Sequence, residues 1–289
     1  MTRWAAACPG KGDLMKIRRT AVIASVAAAG VGVSILAGTG AFADSPAPAS
    51  SADKPTIVLV HGAFADASSW NGVAKNLQHL GYPVVAPANP LRGLDSDSAY
   101  IASVLQNIKG PVVLVGHSYG GEVITNAAAA DKEVKALVYV AAIAPDEGQS
   151  ANAILGAYPG SKLPEALNPQ PYTLPDGSTG SELYVKPDKF REAFAGDVSA
   201  STAAVLAATQ RPVDASSLAA PSKAAAWKDI PSWYLVAKND NTIPPAAQRD
   251  MAKHIGARTT EVNSSHAAAV SHPAEVTNVI LDAARSTAR

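Results

Sequence analysis

The stretch Gly116-His117-Ser118-Tyr119-Gly120 matches G-x-S-x-G, a spacing that presents a serine hydroxyl for attack on a carbonyl when it occupies a sharp strand-to-helix turn. An apolar run, Val112–Val115, leads into it and a helical segment over Tyr119–Ala130 leads out. Ser118 therefore reads as a nucleophile, with a plain helix-capping serine as the alternative. A serine hydroxyl is a weak nucleophile; it needs a histidine to take its proton, and the histidine needs a carboxylate to fix its tautomer. On such a turn the acid and the histidine follow the serine in the chain. Of six histidines, His266 in "VNSSHAAAV" stands on a loop after the last strand-like run, where open parallel sheets carry their sites. His272 is its rival but precedes Pro273 and marks a helix start, while His61, His79, His117 and His254 precede the motif, sit within it or lie on helices. Asp240 in "VAKNDNTIPP" is the expected acid, with Asp146 in "AAIAPDEG" as the alternative. Asp66, Asp95, Asp97 and Glu122 read as solvated or capping residues.

Acyl transfer also needs two donors for the oxyanion. One is expected from the N–H of Tyr119. The other falls in "HGAF" after the first strand, where Gly62 leaves room for a turn and makes the Ala63 N–H the donor. Phe64 is assigned to the substrate pocket, and Trp70 either borders it or joins the core. This chemistry calls for no cofactor and no metal; the His and Asp positions have no zinc-like spacing.

The elements that must position these groups alternate. Short runs at Thr56–Val60, Tyr82–Ala86, Val112–Val115, Val134–Val140, Trp233–Ala237 and Arg258–Val262 read as strands buried on both faces. Between them lie helical patterns: Trp70, Val73, Leu77 and Leu80 on one face, ended by Gly81; Ile101, Val104, Leu105 and Ile108 on another; and helices at Pro245–Ile255 and Pro273–Ala284. The pattern predicts an α/β fold, a mostly parallel central sheet of about six strands flanked by helices. It is interrupted over about 144–230 by turn-rich sequence, a small hairpin around Tyr172 and Tyr184 and an amphipathic piece at Ser199–Thr209. A structureless loop of that length is improbable in one domain, so the segment is expected to be an inserted cap over the strand ends.

The first 43 residues read as a signal peptide, with a basic start at Lys16–Arg19, an apolar stretch over Ala21–Leu36 and an Ala41-Phe42-Ala43 cleavage site; residues 1–14 look like an upstream extension. A membrane anchor is the alternative, but the stretch is short and broken by glycines. Residues 44–55 form a Pro/Ala/Ser tether, and 56–289 the folded domain. The only cysteine, Cys8, falls in the leader, so the exported chain is expected to have neither a disulfide nor a thiol nucleophile. Of 24 basic and 24 acidic side chains, five and one fall in the leader, which leaves a modest negative charge and no footprint for nucleic acid or an anionic membrane. The protein is expected outside the cell, with a small-molecule partner; the sequence leaves its oligomeric state open.

Five stretches, "VLVHGAFADASSW", "LVGHSYGGEVI", "LVYVAAIAPDEG", "KNDNTIPPAAQRDM" and "SSHAAAVSHPAEV", together resemble the α/β-hydrolase superfamily, and within it the small branch of plant methyl esterases, hydroxynitrile lyases and bacterial carboxylesterases. The resemblance runs from about Thr56 to the C-terminus, with the cap matching poorly. It implies a Ser118–His266–Asp240 triad and a secreted carboxylesterase acting on small to medium esters. The lyases of this branch tend to carry threonine where Gly62 stands and lysine where Ala267 stands, and without that cation cyanide has no partner. Lyase or cofactor-free perhydrolase chemistry on the same triad, a non-catalytic exported binding protein and a membrane-active lipase are the competing readings.

Overall fold

The computed structural model describes residues 54–287. The leader and most of the tether lie outside the described residues. In chain order the strands are β1 Thr56–Val60, β2 Val84–Val85, β3 Val112–His117, β4 Val134–Val140, β5 Leu167–Thr173, β6 Thr179–Val185, β7 Val213–Asp214, β8 Ser232–Ala237 and β9 Arg258–Val262. The helices are α1 Asn71–His79, α2 Leu94–Gln106, α3 Tyr119–Ala127, α4 Ala151–Gly156, α5 Leu163–Ala166, α6 Pro187–Ala193, α7 Ala200–Thr209, α8 Ala215–Ala219, α9 Pro245–His254, α10 Ala268–Ser271 and α11 Pro273–Thr287.

Six strands pair in parallel in the order β2-β1-β3-β4-β8-β9, as the alternating pattern predicts. Their central runs are apolar at every position because successive residues point to opposite, equally dry faces. Ile57, Leu59, Val113, Val115 and Val138 pack into one layer with Trp70, Val73, Leu77 and residues Val276, Ile280 and Ala283 of α11. Val58, Val60, Leu114, Leu137 and Tyr139 pack into the other with Ile101 and Leu105 of α2, Val123 and Ile124 of α3 and Met251 of α9. Each fully buried aliphatic side chain there contributes about 1.5–3 kcal/mol. Lys135 interrupts β4 without burying its charge: the register steps from Val112–Val134 to Val113–Ala136, a bulge that leaves the lysine exposed.

Two of the expected strands are not buried on both faces. β2 is only two half-buried residues, and β9 exposes Arg258 to Glu261, because each is an edge with a single neighbour. Leu80 likewise lies past the end of α1 and is 44% exposed rather than on its buried face.

Between β4 and β8 the chain leaves the sheet. β5 and β6 form an antiparallel hairpin, which β7 extends to three strands, and helices α4 to α8 complete the insertion. Some of its attachments reach helices, Asn126 of α3 and Asp250 of α9, and others fall on loops that follow strands. Phe64 N–H, after β1, donates to Arg211 O (3.1 Å), and Asp214 N–H donates to Leu91 O (2.9 Å), after β2. Thr242 Oγ1–H, after β8, donates to Ala193 O (2.8 Å), and Ala267 N–H, after β9, donates to Phe194 O (3.1 Å). The insertion thus lies over the carboxyl ends of the parallel strands, where open α/β sheets carry their sites.

Candidate active site

β3 delivers the chain to Ser118 in a conformation that non-glycine residues rarely adopt, φ 55° and ψ −129°, and α3 starts at the next residue. The strain falls on the serine itself. The flanking glycines are required for close approach instead: a Cβ on Gly116 would lie 2.5 Å from Gly120 O, and one on Gly120 would lie 2.6 Å from Val60 O. Backbone is thus drawn tightly beneath the hydroxyl, and the start of α3 brings its unpaired N–H groups and positive end to the same point.

Asp240 and His266 meet directly. His266 Nδ1–H donates to Asp240 Oδ2 at 2.6 Å, with both side chains fully buried. The carboxylate is held by three further donors: Thr242 N–H (2.7 Å) and Ile243 N–H (2.9 Å) on Oδ1, and Gln248 Nε2–H (2.7 Å) on Oδ2. Gln248 is itself fixed, because its Oε1 accepts from Ala237 N–H (2.9 Å). With Nδ1 protonated, His266 Nε2 carries the lone pair that accepts a proton. Nε2 is buried and has no hydrogen-bond partner among the described residues. The rivals lie elsewhere. His272 Nδ1 is 3.4 Å from Asp197, and Asp146 pairs with His254 and Lys228.

Two histidines that the sequence reading passed over complete the setting. His117 Nε2 lies 2.9 Å from the carbonyl of His266 and must donate to it, and the two rings are 4.7 Å apart. Burial, reinforced by the neighbouring His266, holds the His117 pKa well below the ordinary value, so the ring is a neutral strut between the serine turn and the histidine loop. His61 accepts from Asn89 N–H on Nε2 (3.0 Å), which leaves Nδ1–H to donate to Gly62 O (2.9 Å). Burial lowers its pKa to about 4 and keeps that tautomer neutral. In a trans peptide the C=O and N–H point oppositely. Aiming Gly62 O at His61 therefore turns the Ala63 N–H the other way. Neither Ala63 N–H nor Tyr119 N–H has an acceptor among the described residues, whereas Phe64 N–H is occupied by Arg211 O. Neither histidine's role carries a local signal: the partners are distant in sequence or belong to the backbone.

A narrow apolar pocket opens beside these groups, walled by Phe64, His117, Phe190, Phe194, Leu206 and Val270. It reaches His117 and Ala267, the chain neighbours of Ser118 and His266. Phe194 stands edge-on to His266, with ring centroids 4.8 Å apart, and meets Phe64 at 6.4 Å. Trp70 is fully buried in the opposite layer, edge-on to His117. Asp66 is the one acidic side chain on the pocket wall, and its Oδ1 accepts from the N–H and the hydroxyl of Ser68. Among the described residues no cluster of three or more His, Cys, Asp or Glu is placed to hold a metal ion.

Asp97 and Glu122 are fully buried behind the turn, not solvated. Asp97 accepts from Tyr119 O–H (2.8 Å) and Arg92 N–H (3.0 Å), and burial outweighs these bonds to raise its pKa. Glu122, in the first turn of α3, has both carboxylate oxygens without side-chain partners, and burial raises its pKa well above the ordinary 4.5. The folded state therefore holds a proton that the unfolded state releases, and stability is lost as pH rises above about 4.5. Glu122→Gln, which keeps the shape and removes the ionisation, is expected to melt at the same temperature as the wild type near pH 4 and increasingly above it towards neutrality. Parallel melting curves with no pH-dependent gap would contradict this.

The alpha/beta hydrolase family pattern matches residues 57–279, and the chain belongs to that family. An alpha/beta hydrolase of Aspergillus novofumigatus is 29% identical over 254 residues, 80% of this chain and 97% of that protein. A pyrethroid hydrolase of Sphingobium wenxiniae is 28% identical over 259 residues, 80% of this chain and 88% of its own length. The crystal structure of polyneuridine aldehyde esterase superposes with a TM-score of 0.69 at 22% identity, over 79% of this chain and 98% of that one, a likeness of fold.

Proposed function

We propose that this protein is an exported serine carboxylesterase that hydrolyses small to medium carboxylic esters. The observation that carries the reading is the buried Asp240–His266 pair with Nε2 unpartnered, its loop tied by the His117 Nε2–H to His266 O bond to the residue before the strained Ser118, with the Ala63 and Tyr119 N–H groups unengaged. In this reading His266 takes the hydroxyl proton as Ser118 Oγ bonds to the ester carbonyl carbon. The N–H groups of Ala63 and Tyr119 hold the carbonyl oxygen as it gains charge. Collapse of the adduct expels the alcohol with the proton from His266. Water, deprotonated by the same nitrogen, then releases the acid. The apolar cavity favours an uncharged acyl or alcohol group, Phe64 contributing to its wall. The basic and apolar leader pattern over 1–43 supports action outside the cell.

Gly62 and Ala267 favour hydrolysis over cyanohydrin cleavage. Ala267 is buried with no cation to stabilise cyanide, and a side chain at 62 would collide with the serine turn. The test is a p-nitrophenyl ester series from acetate to decanoate, run with a fluorophosphonate label on the mature chain. Hydrolysis with an optimum at short or medium chains, together with labelling of Ser118, is expected. A folded protein that neither hydrolyses nor labels would replace this reading with an exported binding protein, and aldehyde release from a cyanohydrin in place of ester hydrolysis would replace it with a lyase.

A further inference from the structure

The short segment that follows α6 touches both loops of the acid–base pair, and it belongs to the insertion rather than to the sheet. A helix leaves its last carbonyls without intrahelical donors. At the end of α6 these acceptors are used by the two loops. Glu192 O accepts from Asn241 Nδ2–H (2.9 Å) and Ala193 O from Thr242 Oγ1–H (2.8 Å), the two residues that follow Asp240. Phe194 O accepts from Ala267 N–H (3.1 Å), the residue after His266. Three residues further on, Asp197 grips the other flank of His266: Oδ2 accepts from Ser265 N–H (2.9 Å) and Oδ1 from the Ser265 hydroxyl. His266 is thus bracketed at positions 265 and 267 by one stretch of the insertion, while the Phe194 ring packs on its imidazole.

We propose that Asp197 is a positioning residue for the histidine of the Asp240–His266 pair. It anchors the loop through Ser265, so that the insertion sets the direction of Nε2 as well as covering the pocket. This rests on the esterase reading for its kinetic consequence but not for its geometry. The Asp197 side chain is 23% exposed, sheltered enough to hold its donors. Burial alone would raise its pKa, but the hydrogen bonds from Ser265 and Ser271 hold it below the ordinary value, as a carboxylate bound in its charged form requires. No main-chain group replaces it: the Ser265 N–H and hydroxyl both point to this one carboxylate.

The test compares Asp197→Ala, Asp197→Asn and Ser265→Ala in the full mature chain. Each is titrated with a fluorophosphonate so that rates refer to folded, reactive enzyme. Asp197→Ala is expected to lower kcat for p-nitrophenyl butyrate by about 10- to 100-fold, the order of loss that small misplacements cause, with KM within about twofold. Asp197→Asn, which keeps one acceptor oxygen, is expected to recover part of the loss. The Asp197→Ala/Ser265→Ala pair should lose little more than the worse single variant, because both act through one contact. The second readout needs no turnover. The His266 Nδ1–H proton, shielded and bonded to Asp240, is expected as a slowly exchanging low-field NMR signal that broadens in Asp197→Ala. An unchanged kcat with an unchanged signal would overturn the proposal, as would a kcat loss with unchanged signal and additive pair effects. Wild-type protein that is inert towards esters but shows the signal change would overturn the esterase reading alone.

Discussion

Replacing Ser118 by alanine is expected to lower kcat for p-nitrophenyl esters by about 10⁶-fold, the order of loss that removing a triad serine causes in a serine hydrolase. Fluorophosphonate labelling should disappear with it. The fold should not, because alanine keeps the Cβ that the turn already accommodates and removes a single hydroxyl. Stability offers a second, opposite signature. At φ 55° and ψ −129° a side chain costs about 1–3 kcal/mol, which alanine retains and glycine does not. Glycine adds about 0.5–1 kcal/mol of chain entropy to be lost on folding. The balance predicts that Ser118→Gly is inactive yet more stable than Ser118→Ala by about 1 kcal/mol, or about 2–4 °C in a domain of this size. A variant pair with equal melting temperatures would mean that the turn is not strained. An alanine variant retaining more than about a hundredth of wild-type turnover would mean that Ser118 does not attack the ester.

What the sequence makes legible here follows from the range of each signal. The serine turn is readable because a strand, the motif and a helix are contiguous, and all three contribute to one local geometry. The parallel sheet is readable because burial on both faces removes alternation from β1, β3, β4 and β8, and it is misread at β9 because an edge strand obeys a different rule. Asp240 and His266 can be placed by chain order and by the loops that follow β8 and β9, and the structure brings them within a hydrogen bond. Gln248, His117 and Asp197 had no such handle. Their partners lie on other elements: Asp240 for Gln248, the His266 carbonyl for His117 and Ser265 for Asp197. The burial of Glu122 escaped for the same reason, since a glutamate in the first turn of a helix ordinarily reads as a dipole partner in water. Helix α6 carried legible start signals, Pro187 at its first position and Asp188 in its first turn, that were masked by the turn-rich sequence around it.

The strongest test of the oxyanion geometry is a single methyl group. A Cβ on Gly62 would lie 2.6 Å from Ser118 Cβ, 2.7 Å from His117 O and 3.2 Å from Tyr119 N. Ordinary carbon contacts are about 3.5–4.0 Å, so the loop after β1 and the serine turn must separate by roughly 1 Å. Neither side can yield cheaply. The turn is locked by Gly120 against Val60 O, and the loop by His61 through Gly62 O. Separation moves the Ala63 and Tyr119 N–H groups apart, and the point that both must reach is lost. Gly62→Ala is therefore expected to cost about 1–3 kcal/mol of stability, as overpacking does, and about 10²- to 10³-fold in kcat, as the loss of one oxyanion donor does. KM is expected to rise as well, because Phe64 and His117, which sit on the two segments that separate, both wall the apolar pocket proposed to receive the ester. Gly156→Ala is the matched control. Nothing lies within 4 Å of its Cβ and it closes helix α4, so the same chemical change there should be neutral or stabilise by about 0.5–1 kcal/mol. If Gly62→Ala turned over esters like the wild type, the N–H of Ala63 would not be an oxyanion donor, and the second donor would have to be sought outside the loop after β1.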